Sequence, residues 1–164
     1  MYDILSARID QKEKERIPLE ITYVDTISPE DYNALRKSAG WPEKTPAQMQ
    51  KSIEGSSYLI AAICEGKTIG AARLISDGGS YGIVADVIVL PEFQGAGVGG
   101  TMIRAILDYV KSGLGKGESF GLNLIAAKDR ETFYEQFGFE RRPTDQFGHG
   151  MSITISMDEP PAQS

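Results

Sequence analysis

Four glycines crowd a short stretch past the middle of the chain, and this stretch could bind phosphate. Gly95, Gly97, Gly99 and Gly100 follow a β-branched apolar run, and apolar residues at helical spacing begin just after Thr101. A strand, a glycine turn and a helix bring bare backbone N–H groups to a helix N-terminus, where they face an anion. Because glycine has no Cβ, phosphate oxygens can approach its backbone closely. We therefore expect a phosphate-bearing ligand at residues 95–100.

Two other phosphate-binding motifs fit this stretch less well. The glycines match G-x-G-x-x-G, but that dinucleotide motif follows the first strand of a βαβ unit and precedes an acidic residue about 20 positions on, at the end of the second strand. Here several strands come first, and the nearest candidate, Glu118, would open the next strand. No Lys-Ser or Lys-Thr pair follows the glycines, which excludes a P-loop. A nicotinamide dinucleotide enzyme stays as an alternative that predicts NADH binding.

A second chemical motif lies downstream, in the segment Phe133-Tyr134-Glu-Gln-Phe-Gly138-Phe139. A phenol with a pKa of about 10 holds its proton at neutral pH and can donate it to a departing thiolate. The alternative is that Tyr134 is an aromatic core residue, as its phenylalanine neighbours are expected to be. Spacing alone leaves both interpretations open.

The two motifs together resemble the GCN5-related N-acetyltransferase (GNAT) superfamily. Gln94-x-x-Gly97-x-Gly99 is similar to its acetyl-CoA signature, and the segment from Phe133 to Phe139 is similar to its F-Y-x-x-x-G-F segment. The resemblance extends roughly over residues 21–155. It implies one α+β domain (an α/β mixed sheet) with a mostly antiparallel central sheet, splayed at the acetyl-CoA site and flanked by about four helices.

The resemblance also implies how acetyl-CoA, the co-substrate, is bound. The pyrophosphate lies on the backbone of the glycine turn, and the pantetheine arm pairs with the edge of the strand before it. A backbone N–H near Val89 polarises the acyl carbonyl, and Tyr134 protonates the CoA thiolate. The implied cofactor-binding residues are Val87, Ile88, Val89, Gln94, Gly95, Ala96, Gly97, Val98, Gly99, Gly100 and Tyr134.

The general base and the acceptor site are less closely defined. Asp86, on the strand before the glycines, is the first candidate base, with Glu92 or solvent water as alternatives; Asp86 could instead be a strand residue satisfied by its neighbours. The resemblance places Trp41 on one wall of the acceptor cleft and His149 in a loop beside it. Many relatives carry an asparagine where this chain has Ala127, which argues against a peptide N-terminal acetyltransferase.

The elements around these motifs follow from hydrophobic periodicity and capping signals. Ser28-Pro29 and Thr45-Pro46 each predict a helix start. Strands are predicted over 19–24, 58–64, 68–75 and 83–90, all before the helix at 101–112. A fifth strand over 120–127, a short helix beginning at 129–131 and a final strand pair over 139–141 and 150–157 complete the domain. Four strands in antiparallel order before the glycine turn disfavour a doubly wound sheet.

Composition excludes several functional classes. The 164 residues are 41% hydrophobic and 24% charged, which is typical of a globular protein, and their number fits one domain. We expect this domain over 18–157, with an N-terminal extension over 1–17 that lies outside the resemblance and a disordered tail over 158–164 that has no apolar periodicity. A net charge of −6 without a Lys/Arg cluster argues against nucleic acid, and no apolar run approaches the roughly 20 residues of a membrane span. One histidine and one cysteine cannot assemble a zinc site of His/Cys type, so no metal is expected. A single cysteine and the lack of a secretory signal favour a cytoplasmic protein.

These observations lead to one functional hypothesis and one alternative. The hypothesis is an N-acetyltransferase, an acyltransferase that moves an acetyl group from acetyl-CoA directly to a primary amine of a small molecule or, as second choice, of a protein. The alternative is a non-catalytic acyl-CoA-binding or sensing module on the same fold. The sequence leaves the oligomeric state open, with a homodimer as one expectation.

Overall fold

The computed structural model describes residues 20–153. The predicted N-terminal extension and the predicted tail lie outside these residues. The predicted last strand, 150–157, is described only as far as residue 153, and neither residues 150–153 nor residues 139–141 form a strand. The final strand pair is therefore not seen in the described part of the chain.

Within residues 20–153, a five-stranded sheet in the order β1-β2-β3-β4-β5 forms the centre of the fold. The first four strands are antiparallel neighbours and the fifth is parallel to β4. This arrangement confirms the predicted α+β fold, because short turns join the second, third and fourth strands as antiparallel hairpins, whereas a helix crosses over to the parallel fifth strand. The strands are β1 (Ile21–Val24), β2 (Tyr58–Cys64), β3 (Lys67–Ser76), β4 (Tyr81–Val89) and β5 (Gly121–Leu124).

In the described part of the chain four helices flank the sheet, and the predicted caps begin the first two. The helices are α1 (Pro29–Ser38), α2 (Pro46–Glu54), α3 (Val98–Ser112) and α4 (Glu131–Glu135), with a 3₁₀ turn at Pro91–Phe93. Ser28 accepts a hydrogen bond from the Asp31 N–H at the start of α1, and Thr45 forms a capping box with Gln48 at the start of α2. The capping signals in the sequence therefore mark both helix starts correctly.

The core is apolar and lies between the sheet and the helices. Among the described residues no polar or charged side chain is fully buried. Helix α3 contributes Met102, Ile103 and Ile106 to the core at helical spacing, and α1 contributes Tyr32 and Leu35. Burial of these stripes fixes α1 and α3 against the sheet. No helix of residues 20–153 has the length and apolar character that a membrane crossing requires.

The sheet opens at the end of β4, which confirms the predicted splay. β4 pairs with β5 only over Tyr81–Val84, so its last five residues have no β5 partner. On its other side, β4 has a register irregularity against β3, because Ala71 pairs with Ile88 whereas Arg73 pairs with Ala85. Two residues of β4 therefore stand opposite one residue of β3, which is a β-bulge and bends the strand.

Candidate active site

A cleft of about 810 Å³ lies beside the unpaired end of β4. The glycine turn, the end of β4, helix α4 and the loop between α1 and α2 all contribute to it. It brings together most of the residues singled out from the sequence. Those that line it are Trp41, Val87, Ile88, Val89, Gln94, Gly95, Gly97, Val98, Gly99, Gly100 and Tyr134; Ala96 and Asp86 do not.

The glycine turn begins α3 with a conformation that favours glycine. Gly95 and Gly97 have φ of 78° and 83°, in the left-handed region that a side chain makes costly. Gly97 is the N-cap of α3, and no side chain caps this helix. The first N–H groups of the helix are thus left for another acceptor, and a Cβ at Gly95 or Gly97 would meet nothing of the protein within 4 Å. The turn has the open space and the donors that an anion needs.

The other two glycines have a packing role that the sequence did not suggest. A Cβ on Gly99 would lie 3.2 Å from Cζ of Phe133, and one on Gly100 would lie 3.4 Å from Cζ of Phe137. The missing side chains therefore let the aromatic residues around α4 approach α3 closely. Phe133 and Phe137 are themselves in edge contact, with ring centroids 5.4 Å apart.

The backbone of Val89 presents its N–H to the cleft. The N–H of Leu90 donates to the carbonyl oxygen of Ile69 over 2.8 Å, so these residues form a hydrogen-bonded pair with β3. Hydrogen-bonded and non-hydrogen-bonded pairs alternate in an antiparallel ladder, so Val89, opposite Gly70, points its polar groups away from β3. Its carbonyl oxygen accepts a 2.9 Å hydrogen bond from Nε2 of Gln94. The Gln94 side chain thus ties the glycine turn to the open strand edge.

Tyr134 lies between this cleft and a second cavity of about 850 Å³, and it lines both. Its ring packs edge-on against Phe133 and Phe139, at centroid distances of 4.9 Å and 6.2 Å. Burial raises the pKa of the phenol, and the positive charge of Arg130 offsets part of this rise. The side chain is therefore a protonated donor at neutral pH, placed in aromatic packing as the alternative interpretation also expected.

The cleft is also lined by two arginines, which the sequence did not indicate as site residues. Arg104 comes from the second turn of α3 and Arg130 from just before α4. Arg104 packs over the ring of Phe137 at 5.7 Å from its centroid. The helical spacing of Arg104 from Gly100 could have indicated its position, whereas nothing in the local sequence points to Arg130. These cations give the glycine end of the cleft a positive character.

Trp41 lines the cleft from the α1–α2 loop, where the resemblance placed it. Its indole ring lies 5.4 Å from the guanidinium carbon of Arg36. The backbone N–H of Trp41 donates to the carbonyl oxygen of Arg36 over 2.9 Å. Trp41 is therefore a wall residue whose position depends on Arg36.

The two carboxylates considered as a general base are both engaged elsewhere. Oδ2 of Asp86 accepts from the Tyr32 hydroxyl at 2.7 Å and from Nε of Arg73 at 2.9 Å, and Oδ1 lies 3.3 Å from Nη1 of Arg36. Glu92 is on the surface, where its own backbone N–H and Lys67 hold its pKa below the usual range. Neither side chain lines the cleft. The geometry offers no support for either carboxylate as the base.

His149 and Ala127 occupy different parts of the site. His149 lines the second cavity, together with Tyr81, Asn123 and Glu131. Ala127 lines the cleft, at the position where the resemblance led us to expect an asparagine. Within residues 20–153, no three metal-ligating side chains converge. The polar groups that line the cleft include backbone amides, the two arginines and the phenol of Tyr134.

Comparison with protein families accounts for this arrangement. Residues 23–157 match the acetyltransferase (GNAT) domain family, which covers most of the chain. The crystal structure of SA2161 from meticillin-resistant Staphylococcus aureus, a protein of unknown function classed as a probable acetyltransferase, is 29% identical and superposes with a TM-score of 0.74 over 83% of this chain and 100% of that chain.

The match to two curated relatives covers only part of the length of those proteins. An uncharacterized N-acetyltransferase, ycf52, of Pyropia yezoensis is 29% identical over 113 residues, which are 66% of this chain and 63% of that protein. The chloroplastic serotonin N-acetyltransferase 2 of Oryza sativa is 29% identical over 116 residues, which are 68% of this chain and 56% of that protein. From the family match, the fold and the glycine turn beside a splayed β4, we conclude that the chain belongs to the GNAT acetyltransferase family.

Proposed function

We propose that this protein transfers the acetyl group of acetyl-CoA directly to the primary amine of a small molecule. The observation that carries the proposal is one cleft that contains the uncapped start of α3, the open edge of β4 and the phenol of Tyr134. A phosphate site, a strand edge and a proton donor in this order match the parts of an acyl-CoA thioester. The family match gives the acetyl transfer, and the acceptor class is our inference.

The residues of the cleft suit the chemical groups of acetyl-CoA. The N–H groups of Val98, Gly99 and Gly100 begin α3 and would donate hydrogen bonds to the pyrophosphate oxygens, with Arg104 adding positive charge nearby. The edge of β4 at Val87–Val89 would pair with the amides of the pantetheine arm, as an added strand does.

Acetyl transfer needs a polarised carbonyl, a neutral amine and a proton for the leaving thiolate. The N–H of Val89 would donate to the carbonyl oxygen, and loss of one such donor typically costs about 10²–10³ in rate. The amine nitrogen attacks the carbonyl carbon, and the C–S bond then breaks with its electron pair leaving on sulfur. Tyr134 donates its proton to that thiolate, while the new amide loses a proton to solvent.

Solvent water is the proton acceptor that best agrees with the geometry. Asp86 has both carboxylate oxygens bound by Tyr32, Arg36 and Arg73, and Glu92 is outside the cleft. An amine with a pKa near that of lysine, about 10.4, is mostly protonated at neutral pH, so the rate should rise with pH as the free amine increases. This pH dependence belongs to the substrate and not to a protein carboxylate.

Arylalkylamines, which carry an aliphatic primary amine on an aromatic ring system, are the first acceptors to test. Trp41 offers a planar apolar surface on the cleft wall, and the rice relative is named as a serotonin N-acetyltransferase. The ring of Trp41 would stack on the aromatic ring of such an acceptor. The acetyl group would pass to the aliphatic amine of such a molecule.

An acceptor screen tests the proposal. Release of CoA from acetyl-CoA is followed with arylalkylamines, alkyl polyamines and lysine-containing peptides, and each acetylated product is identified by mass spectrometry. We expect turnover with at least one small primary amine. Turnover with peptides alone would assign a protein substrate, and CoA binding without any turnover would favour the sensing module.

A further inference from the structure

Asp86 has a backbone conformation that its surroundings must maintain. It lies at the β-bulge of β4 with φ of 52°, in the left-handed region that is uncommon for a residue with a Cβ. Such a conformation is strained and persists only where neighbouring contacts hold it. The residue immediately precedes Val87–Val89, the part of β4 that lines the cleft.

Three side chains donate hydrogen bonds to the carboxylate of Asp86. The Tyr32 hydroxyl donates at 2.7 Å, Nε of Arg73 at 2.9 Å and Nη1 of Arg36 at 3.3 Å. The side chains of Arg36, Arg73 and Asp86 are only 13–16% exposed. Water competes little for these bonds, so charge-assisted hydrogen bonds are strong here. Burial, and after it the charge of Asp86, raises the pKa of Tyr32, which keeps this phenol a donor.

The same donors reach the acceptor wall of the cleft. Arg36 also donates from Nε to the carbonyl oxygen of Pro42 over 3.2 Å and packs on the ring of Trp41 at 5.4 Å. Nη1 of Arg73 donates to the carbonyl oxygen of Ser52 near the end of α2 over 3.2 Å. One carboxylate thus joins α1, α2, the α1–α2 loop and β3 to the bulge of β4.

We propose that Asp86 and Arg36 are positioning residues that fix the acceptor wall at Trp41 relative to the thioester edge at Val87–Val89. This inference rests on the proposed function, since it assigns Trp41 to the acceptor side of the cleft and Val87–Val89 to the thioester side. Arg36 is the link, because its planar guanidinium contacts Asp86, Pro42 and Trp41 at once. An ammonium group cannot replace these three contacts.

Arg36→Gln is the first test, with Lys37→Gln as its matched control. Lys37 is the next residue of α1, and its exposed side chain reaches only Glu43 on the surface, at 3.7 Å. For Arg36→Gln we expect the amine KM to rise about tenfold and kcat to fall about tenfold, while the Kd for CoA changes less than threefold. Arg36→Lys should show the same defect. Rescue by lysine, or a glutamine variant that behaves like the control, would overturn the proposal.

Asp86→Asn separates positioning from base catalysis. Positioning predicts a lower kcat with an unchanged pH dependence, and it predicts at least fivefold faster hydrogen exchange at the Leu90 amide, which donates to β3 just after the bulge. Loss of the pH dependence of kcat with normal exchange would identify a base and overturn the proposal.

The exchange measurement needs no acceptor, so it tests whether Asp86 holds the end of β4 even if the acceptor screen fails. Tyr32→Phe removes one donor from Asp86 and leaves the core volume nearly unchanged, and it serves if Asp86→Asn does not fold. It should also accelerate exchange at Leu90 relative to Lys37→Gln. Equal exchange at Leu90 in Tyr32→Phe and Lys37→Gln would contradict the positioning role of Asp86.

Discussion

At the scale of single residues, the proposed chemistry depends on one phenol that retains its proton. Burial raises the pKa of Tyr134, and Arg130 lowers it by a smaller amount. A donor must be protonated when the thiolate leaves, so a raised pKa extends its working range toward alkaline pH. The sequence motif identified this residue, but its burial and its position between two cavities depend on the packing of α4.

Tyr134→Phe should lower kcat about 10²-fold, since general acid catalysis typically contributes 10²–10⁴. The Kd for acetyl-CoA should change less than about threefold, because the ring and its packing remain. Steady-state kinetics and calorimetric titration measure the two quantities. Tyr109→Phe, which removes a partly exposed phenol from α3, is the control and should leave kcat unchanged. Equal turnover in the Tyr134 variant would remove its assigned role.

At the scale of elements, the start of α3 combines two uses of glycine. Gly97 takes the left-handed conformation that leaves open space before the helix, and Gly99 admits Phe133 against the helix. The sequence pattern predicted the first use and not the second, because close approach of α4 is a tertiary contact. Likewise, the pattern began this helix at residue 101, whereas the structure begins it at Val98. Gly97 at the N-cap and the two glycines of the first turn, Gly99 and Gly100, have low helix propensity, so the pattern does not show the helix start.

Gly97→Val should prevent CoA binding while the protein stays folded. A valine at φ of 83° adds a side chain where the phosphate should lie, and it also strains the backbone by about 1–3 kcal/mol. Gly78→Val is the matched control, since Gly78 has φ of 78° in the turn between β3 and β4 with open space around it. Both variants should lose similar stability in urea unfolding, but only Gly97→Val should lose CoA binding in calorimetry. Unchanged affinity in that variant would contradict the phosphate assignment.

At the scale of the whole molecule, a splayed sheet and one charged cluster organise the site. The four antiparallel strands, the single domain and the glycine turn before α3 could be predicted from sequence, because alternation, turns and caps are local signals. The cluster around Asp86 could not, because Tyr32, Arg73 and Asp86 come from separate elements and meet only through the fold. Tyr32 and Arg36 do share a face of α1 at a spacing of four, but a local pattern does not reveal their common partner.

Stability should fall at alkaline pH because Tyr32 is buried as a neutral phenol. Its folded pKa is raised, mainly by burial and then by Asp86, whereas an unfolded tyrosine ionises near 10. Above that pH the unfolded chain binds fewer protons than the folded one, so the free energy of unfolding decreases as pH rises. The contribution is fully present below pH ~10 and is lost above it, by up to about 1.4 kcal/mol per pH unit for each such group.

Urea unfolding at pH 8 and at pH 11 measures this decrease. Tyr32→Phe should reduce the decrease, and Tyr81→Phe, at an exposed position on β4, should not. Tyr134 also has a raised pKa and adds a smaller share of the same sign. An identical pH dependence in Tyr32→Phe and the unmutated protein would show that this phenol is not the cause.

A crystal structure with acetyl-CoA tests the central claim most directly. The account predicts the pyrophosphate on the amides at the start of α3, the thioester carbonyl oxygen within hydrogen-bond distance of the Val89 N–H, and the sulfur within reach of the Tyr134 hydroxyl. A thioester bound away from the open edge of β4, or a pyrophosphate away from residues 95–100, would contradict it.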